Sequence, residues 1–228
     1  MTTIRMLPVH EIVRRTYPRP PPTESDSVAM AVGKAIDGAL AEFGHQVRRG
    51  RRPTAKAMRE LADAILEDAL AEGAVTVSDE ARTKILAEID GVLQAYRRSE
   101  IYGLARPRTR VIVIDGQVGV YAQPDYWDGR GRLFEMKSYR AIPPPPDVAL
   151  QLRLFQLAYP QWETVLVCLD RHAAPVEIVS AVIPPPTTEE TAATLRLARD
   201  VGREFGEEKV LEYVEGPFVR YTLPPSPA

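Results

Sequence analysis

Cysteine is all but absent from this sequence. A single one, Cys168, among 228 residues excludes an intrachain disulfide and any cysteine-built zinc or iron–sulfur site within one chain. A surplus of charge is missing too: 29 Lys and Arg face 31 Asp and Glu, a net charge of -2. That balance excludes a histone-like protein whose whole surface binds nucleic acid and leaves room only for a local basic patch. No long apolar run occurs; the stretch Val165–Leu169 falls far short of the ~20 residues a membrane helix needs. No apolar segment follows the first basic residue, so no signal peptide is expected. The reading is a soluble, cytoplasmic protein with no membrane partner.

What is present is ordinary globular material, 45% hydrophobic and 26% charged, enough for one domain over residues 1–228. The 21 prolines cluster at 20–22, 143–146 and 184–186, where they punctuate elements. The pattern divides into an N-terminal arm over 1–26, a helical part over 27–100, a sheet core over 107–183 and a last helix over 187–209. Val32, Ile36, Leu40 and Phe43 recur at helical spacing, as do Met58, Leu61, Ile65 and Leu70, then Ile85, Ile89, Val92 and Tyr96. The period then changes. Arg110–Ile114 and Val118–Trp127 predict strands joined at Asp115-Gly116, and Leu133–Tyr139 predicts a third strand after Gly129-Arg130-Gly131. A helix over 147–159, strands over 164–169 and 176–183, and the last helix complete a mixed α+β fold, one mixed sheet flanked by helices.

The chemistry concentrates in Gln123–Lys137. A three-residue turn at Gly129–Gly131 sets Asp128 against Arg132 and, counting back, Asp125 against Glu135. Residues directly opposite have Cβ atoms ~5 Å apart, and Lys137 shares a face with Glu135. Two carboxylates at that distance repel each other unless a cation lies between them. Hard oxygen ligands suit Mg²⁺ or Mn²⁺, and a neighbouring lysine can hold a water and offset charge on phosphorus. That points to metal-assisted phosphodiester hydrolysis. The bland alternative is a pair of solubilising residues on a wet strand face; Glu207-x-Lys209 repeats the triplet with no such context.

Pro124-Asp125, with Glu135-Met136-Lys137 beyond it, resembles the signature of the PD-(D/E)XK nucleases. Gln151-Leu-Arg-Leu-Phe155 is similar to the Gln-xxx-Tyr motif of the RecB-like branch, and Gly33-Lys-Ala-Ile-Asp37 to its Gly-xxx-His motif. Leu7–Arg19 is similar to the opening of the CRISPR-associated iron–sulfur members. The resemblance implies a restriction-endonuclease-like αβββαβ core and a nuclease acting on DNA, as single strands or duplex ends. It implies Asp125 and Glu135 as metal ligands, Lys137 as the water-placing group and Gln151 as a supporting catalytic residue. The cofactor expected is Mg²⁺ or Mn²⁺. Three positions depart from the pattern. Asp37 stands where a His ligand is usual, and reads equally as a third oxygen ligand or an ordinary boundary residue. Phe155 replaces the Tyr. Tyr17 replaces the first cluster Cys, so no iron–sulfur cluster is expected.

Arg48, Arg49, Arg51, Arg52 and Lys56 form the one dense basic cluster. A solvated loop is the default for such a run; phosphate contact is the functional reading. The competing class is a non-catalytic nucleic-acid-binding module on the same fold, motivated by Asp37 and Phe155. Oligomeric state, a homo-oligomer included, is left open by the sequence.

Overall fold

The computed structural model describes residues 3–210, 214 and 216–223. Within them the chain is a mixed α+β fold of six helices and two mixed sheets, its helices weighted to the N-terminal half. Helices α2 (Glu24–Arg48), α3 (Ala55–Glu72) and α4 (Asp79–Arg98) each start on a hydroxyl cap. Thr23 accepts from the Asp26 N–H, Thr54 from Ala57 and Ser78 from Ala81, which satisfies donors that a helix start leaves unpaired. Their apolar stripes, Ile36, Leu40, Phe43, Met58, Leu66, Ile89 and Val92 among them, merge into one buried cluster.

The residues expected to be an N-terminal arm are structured. Strand β1 (Thr3–Pro8) runs straight into helix α1 (Val9–Thr16), and β1 pairs in parallel with β3 (Val118–Ala122). β3 forms the expected hairpin with β2 (Arg110–Ile114); Asp115 and Gly116 at its tip both have positive φ, 51° and 68°, the conformation a type I′ turn requires. The strand expected over 118–127 is interrupted. After β3 the chain resumes only at β4 (Tyr126–Trp127), against β5 (Arg132–Lys137), because Pro124 has no N–H to continue a ladder.

That interruption divides the expected single sheet in two. One sheet has the order β8-β1-β3-β2-β9 and the other β4-β5-β6-β7, with β6 at Glu163–Asp170, β7 at Glu177–Ile183, β8 at Glu207–Val210 and β9 at Phe218–Tyr221. The last helix, α6 (Thr188–Phe205), ends four residues before the expected 209. Gly206 follows it as the C-cap and Glu207–Val210 pairs with β1 as a strand. Helix α5 (Pro146–Ala158) is the crossover between the parallel strands β5 and β6. Pro146 opens it, at a position where a missing N–H costs no bond.

Phe134, Met136, Val165, Val167 and Leu169 of the second sheet pack against α2–α4, whereas Leu166 and Cys168 pack against Val148 and Leu152 of α5. Covered on both faces, β6 reads in sequence as an unbroken apolar run. The odd-numbered residues of β5 therefore face α5, and that alternation positions Glu135 and Lys137. Among the described residues, no helix is long and apolar enough to cross a membrane.

Met6 pairs with Gly119, and a Cβ at Gly119 would run into Met6 Sδ. The Gly119→Val protein is expected to lose ~1–3 kcal/mol through overpacking, read as a melting temperature several °C lower by differential scanning calorimetry. An unchanged melting temperature would show that the β1–β3 contact is not tight.

Candidate active site

The β4–β5 hairpin is fixed by its turn. Gly129 and Gly131 have φ of 73° and 111°, and the Asp128 carboxylate ties the loop by accepting from the N–H groups of Arg130 at 2.8 Å and Arg132 at 3.1 Å and from Arg132 Nε at 2.9 Å. Tyr126 pairs with Phe134 and Trp127 with Leu133, so one step back along each strand sets Asp125 across from Glu135, as the glycine spacing predicts. Asp125 lies in the interruption. Its Oδ2 accepts the Met136 N–H at 2.9 Å, a side chain standing in where the ladder has no backbone partner. Pro124 thus breaks the strand and frees Asp125 to turn its carboxylate toward Glu135.

Glu135 is 4% exposed. Lys137 Nζ donates to Glu135 Oε1 at 2.8 Å and to Gln151 Oε1, on α5, at 3.1 Å. Four of the residues expected at the site, Asp125, Glu135, Lys137 and Gln151, therefore meet. Burial, then the Asp125 charge, pushes the Glu135 carboxyl up to about 8, against the pull of Lys137. Burial alone would lower the Lys137 ammonium; the charge of Glu135 and the hydrogen bond to it outweigh burial and hold it above the ordinary lysine range. The two shifts are consistent on one account. A proton held on Glu135 removes its repulsion with the Asp125 charge, and a charge on Glu135 in turn holds the proton on Lys137.

Asp37 is open to solvent at the edge of a cleft of about 530 Å³ that Gly33, Lys137, Ser138, Tyr139 and Arg171 also line. The protein around it, then the Asp125 charge, raises its carboxyl to about 6, opposed by Lys137, Arg106 and Arg171. Asp37 is thus within electrostatic reach of the pair but not joined to it. Among the described residues, no three His, Cys, Asp or Glu side chains gather as a ready-made metal cage. The donor set still fits a hard divalent cation, since Mg²⁺ commonly takes one or two carboxylates and fills the rest of its octahedron with water and phosphate oxygens. Asp125 and Glu135 would hold it, with Asp37 on the open side.

Other expectations resolve differently. Phe155 is core, 3% exposed. Tyr126 is buried, and Trp127 stacks on Trp162 with centroids 4.9 Å apart, which commits both rings to packing; Tyr139 reaches the cleft. In the basic cluster, Arg48 donates to the Leu104 carbonyl at 3.0 Å and Lys56 lies 3.8 Å from Glu60. Arg49, Arg51 and Arg52 are exposed beyond the end of α2. Arg106, in the run Arg106-Pro-Arg108-Thr-Arg110, and Arg171, alone in its segment, reach the site only through folding, which no local spacing shows.

No family model matches the chain, and no curated protein matches it. A solved structure described as "Crystal structure of SSO0001" is similar at 15% identity and a TM-score of 0.40, over 89% of this chain and 78% of that one. Likeness at that level carries no argument.

A carboxyl whose folded pKa is raised binds more protons folded than unfolded, so stability falls as pH rises from its ordinary 4.5 to about 8. In metal-free buffer, Glu135→Gln is expected to melt several °C above the wild type at pH 9, with the gap closing toward pH 5. A gap of equal size at both pH values, measured by thermal melting, would contradict a proton held on Glu135.

Proposed function

We propose that the chain is a divalent-metal-dependent nuclease that hydrolyses DNA phosphodiester bonds, RecB-like and exonucleolytic in type, on a restriction-endonuclease-like core. The observation that supports it best is the meeting of Asp125, Lys137 and Gln151, all half-buried, around the buried Glu135 beside an open cleft. When bound, Mg²⁺ or Mn²⁺ supplies Lewis-acid stabilisation of charge on the phosphoryl oxygens. Lys137 has three N–H donors, of which Glu135 and Gln151 occupy two. The third is free to hold the attacking water and to offset charge developing on phosphorus. Gln151 acts as a positioning residue, fixing the ammonium by accepting one of its hydrogen bonds. Asp37, at the cleft edge, is the third oxygen ligand in this reading.

A second reading, a binding module that has lost the chemistry, draws on Asp37 and Phe155 and on the lack, among the described residues, of a ready-made group of three metal-ligating side chains. The two readings part on cleavage. With labelled single-stranded, duplex and circular DNA, cutting should require Mg²⁺ or Mn²⁺, and circular DNA separates endonuclease from exonuclease. Asp125→Ala, Glu135→Ala and Lys137→Ala should each lower the rate by ~10²-fold or more with the fold retained. Glu207→Ala, on the exposed strand β8, should cut like the wild type. Equal activity in all four variants would overturn the assignment.

A further inference from the structure

Two recesses follow one face of α2 and meet at consecutive residues. The cleft of about 530 Å³ is lined along the helix by Asp26, Ala29, Met30, Gly33 and Asp37. A second recess of about 300 Å³ continues with Gly38, Ala41, Glu42, His45 and Arg48. Met136 and Lys137 line the first recess and Tyr126 the second, and Asp125 adjoins both, next to Tyr126 in the chain and bonded to the Met136 N–H. From Gly33 to Arg48 the helix climbs ~22 Å at about 1.5 Å per residue, so the recesses make one groove along it, with Lys137 in its wall.

The cations along that groove are not equivalent. Arg19, at the first end, is spent on Asp147 at 2.7 Å, and Arg48, at the second, on the Leu104 carbonyl at 3.0 Å. Arg171 lines the first recess. Its backbone is tied to the end of β5, the Arg171 N–H lying 3.4 Å from the Ser138 carbonyl. Its Nε is shut off from solvent, with no hydrogen-bond partner among the described residues. A buried donor left unmade is costly in the free protein and calls for an acceptor from outside. Arg106 lines the second recess, exposed, and forms no ion pair among the described residues.

We infer that Arg171 and Arg106 are phosphate-gripping residues on either side of the reaction point, binding the backbone of one nucleic-acid strand laid along α2. The inference rests on the nuclease reading for its substrate class and adds the path that substrate takes. Guanidinium groups are suited to the task because each presents a planar fork of donors to phosphate oxygens. Backbone contacts of this kind fix register without reading bases. They also place the cut: a strand held at two points, one on each side, presents the intervening phosphodiester to Lys137 and the carboxyl pair.

The test is binding of a fluorescein-labelled single-stranded oligonucleotide, by anisotropy in EDTA over a series of salt concentrations, together with KM and kcat in Mg²⁺. Arg171→Gln and Arg106→Gln should each weaken binding about tenfold and reduce the salt slope by ~0.7, the value for one lost contact on a single strand. KM should rise with kcat held within a few-fold, and Arg171→Lys should recover part of the loss. Lys84→Gln, on the far helix α4 where it pairs with Glu80, should match the wild type. If the wild type binds and cuts while both Gln variants keep its affinity, KM and salt slope, the groove assignment falls and the nuclease reading stands. If the wild type neither binds nor cuts, the nuclease reading falls and takes the groove with it.

Discussion

Two carboxyl groups, Asp125 and Glu135, face each other across one hairpin, and the buried one, Glu135, accepts a hydrogen bond from the Lys137 ammonium. Carrying both charges there is unfavourable, and the pair answers it with a raised affinity for a positive species. A proton is one such species and a divalent cation another. The surrounding structure serves to hold this arrangement. Pro124 ends a strand so that the Asp125 side chain can occupy a ladder position, the Gly129–Gly131 turn sets the register, and α5 brings Gln151 down onto Lys137. A fold optimised only for stability would place two apolar residues there.

The parts of this arrangement written in local periodicity were legible in the sequence. The hairpin register followed from the glycine turn and the two-residue alternation of strands. The face shared by Glu135 and Lys137 followed from the same alternation, and the three front helices from their apolar stripes. The parts that depend on long-range pairing were not. β1 has no local signature, because its six residues find their partners more than a hundred positions away, in β3 and β8. The end of α6 carried a signal that was passed over: Gly206 is a helix-stopping residue, and the triplet Glu207-x-Lys209 beyond it pairs as an edge strand. Arg171 is isolated and has no spacing to read, and nothing local separates Arg106 from Arg108 and Arg110, which alternate with it leading into β2.

The basic cluster at the end of α2 takes on a different meaning beside the groove. Arg48 faces the second recess, whereas Arg49, Arg51 and Arg52 stand in solvent past the helix end. A strand leaving the groove in that direction would meet them as a diffuse field, which adds to the salt dependence of binding but does not align a phosphate. Alignment belongs to side chains that the fold holds in place, and Arg171 lines the first recess with its backbone bonded to Ser138, just past the end of β5.

The central claim is that Glu135 exchanges its proton for a divalent metal ion held together with Asp125. Isothermal titration of the metal-free protein with Mn²⁺ at pH 7, in two buffers of different ionisation enthalpy, measures that exchange without reference to any substrate. The account predicts binding that Glu135→Ala abolishes, with a heat that differs between the buffers by the release of up to one proton per metal bound. Absence of binding, or binding with the same heat in both buffers, would contradict it.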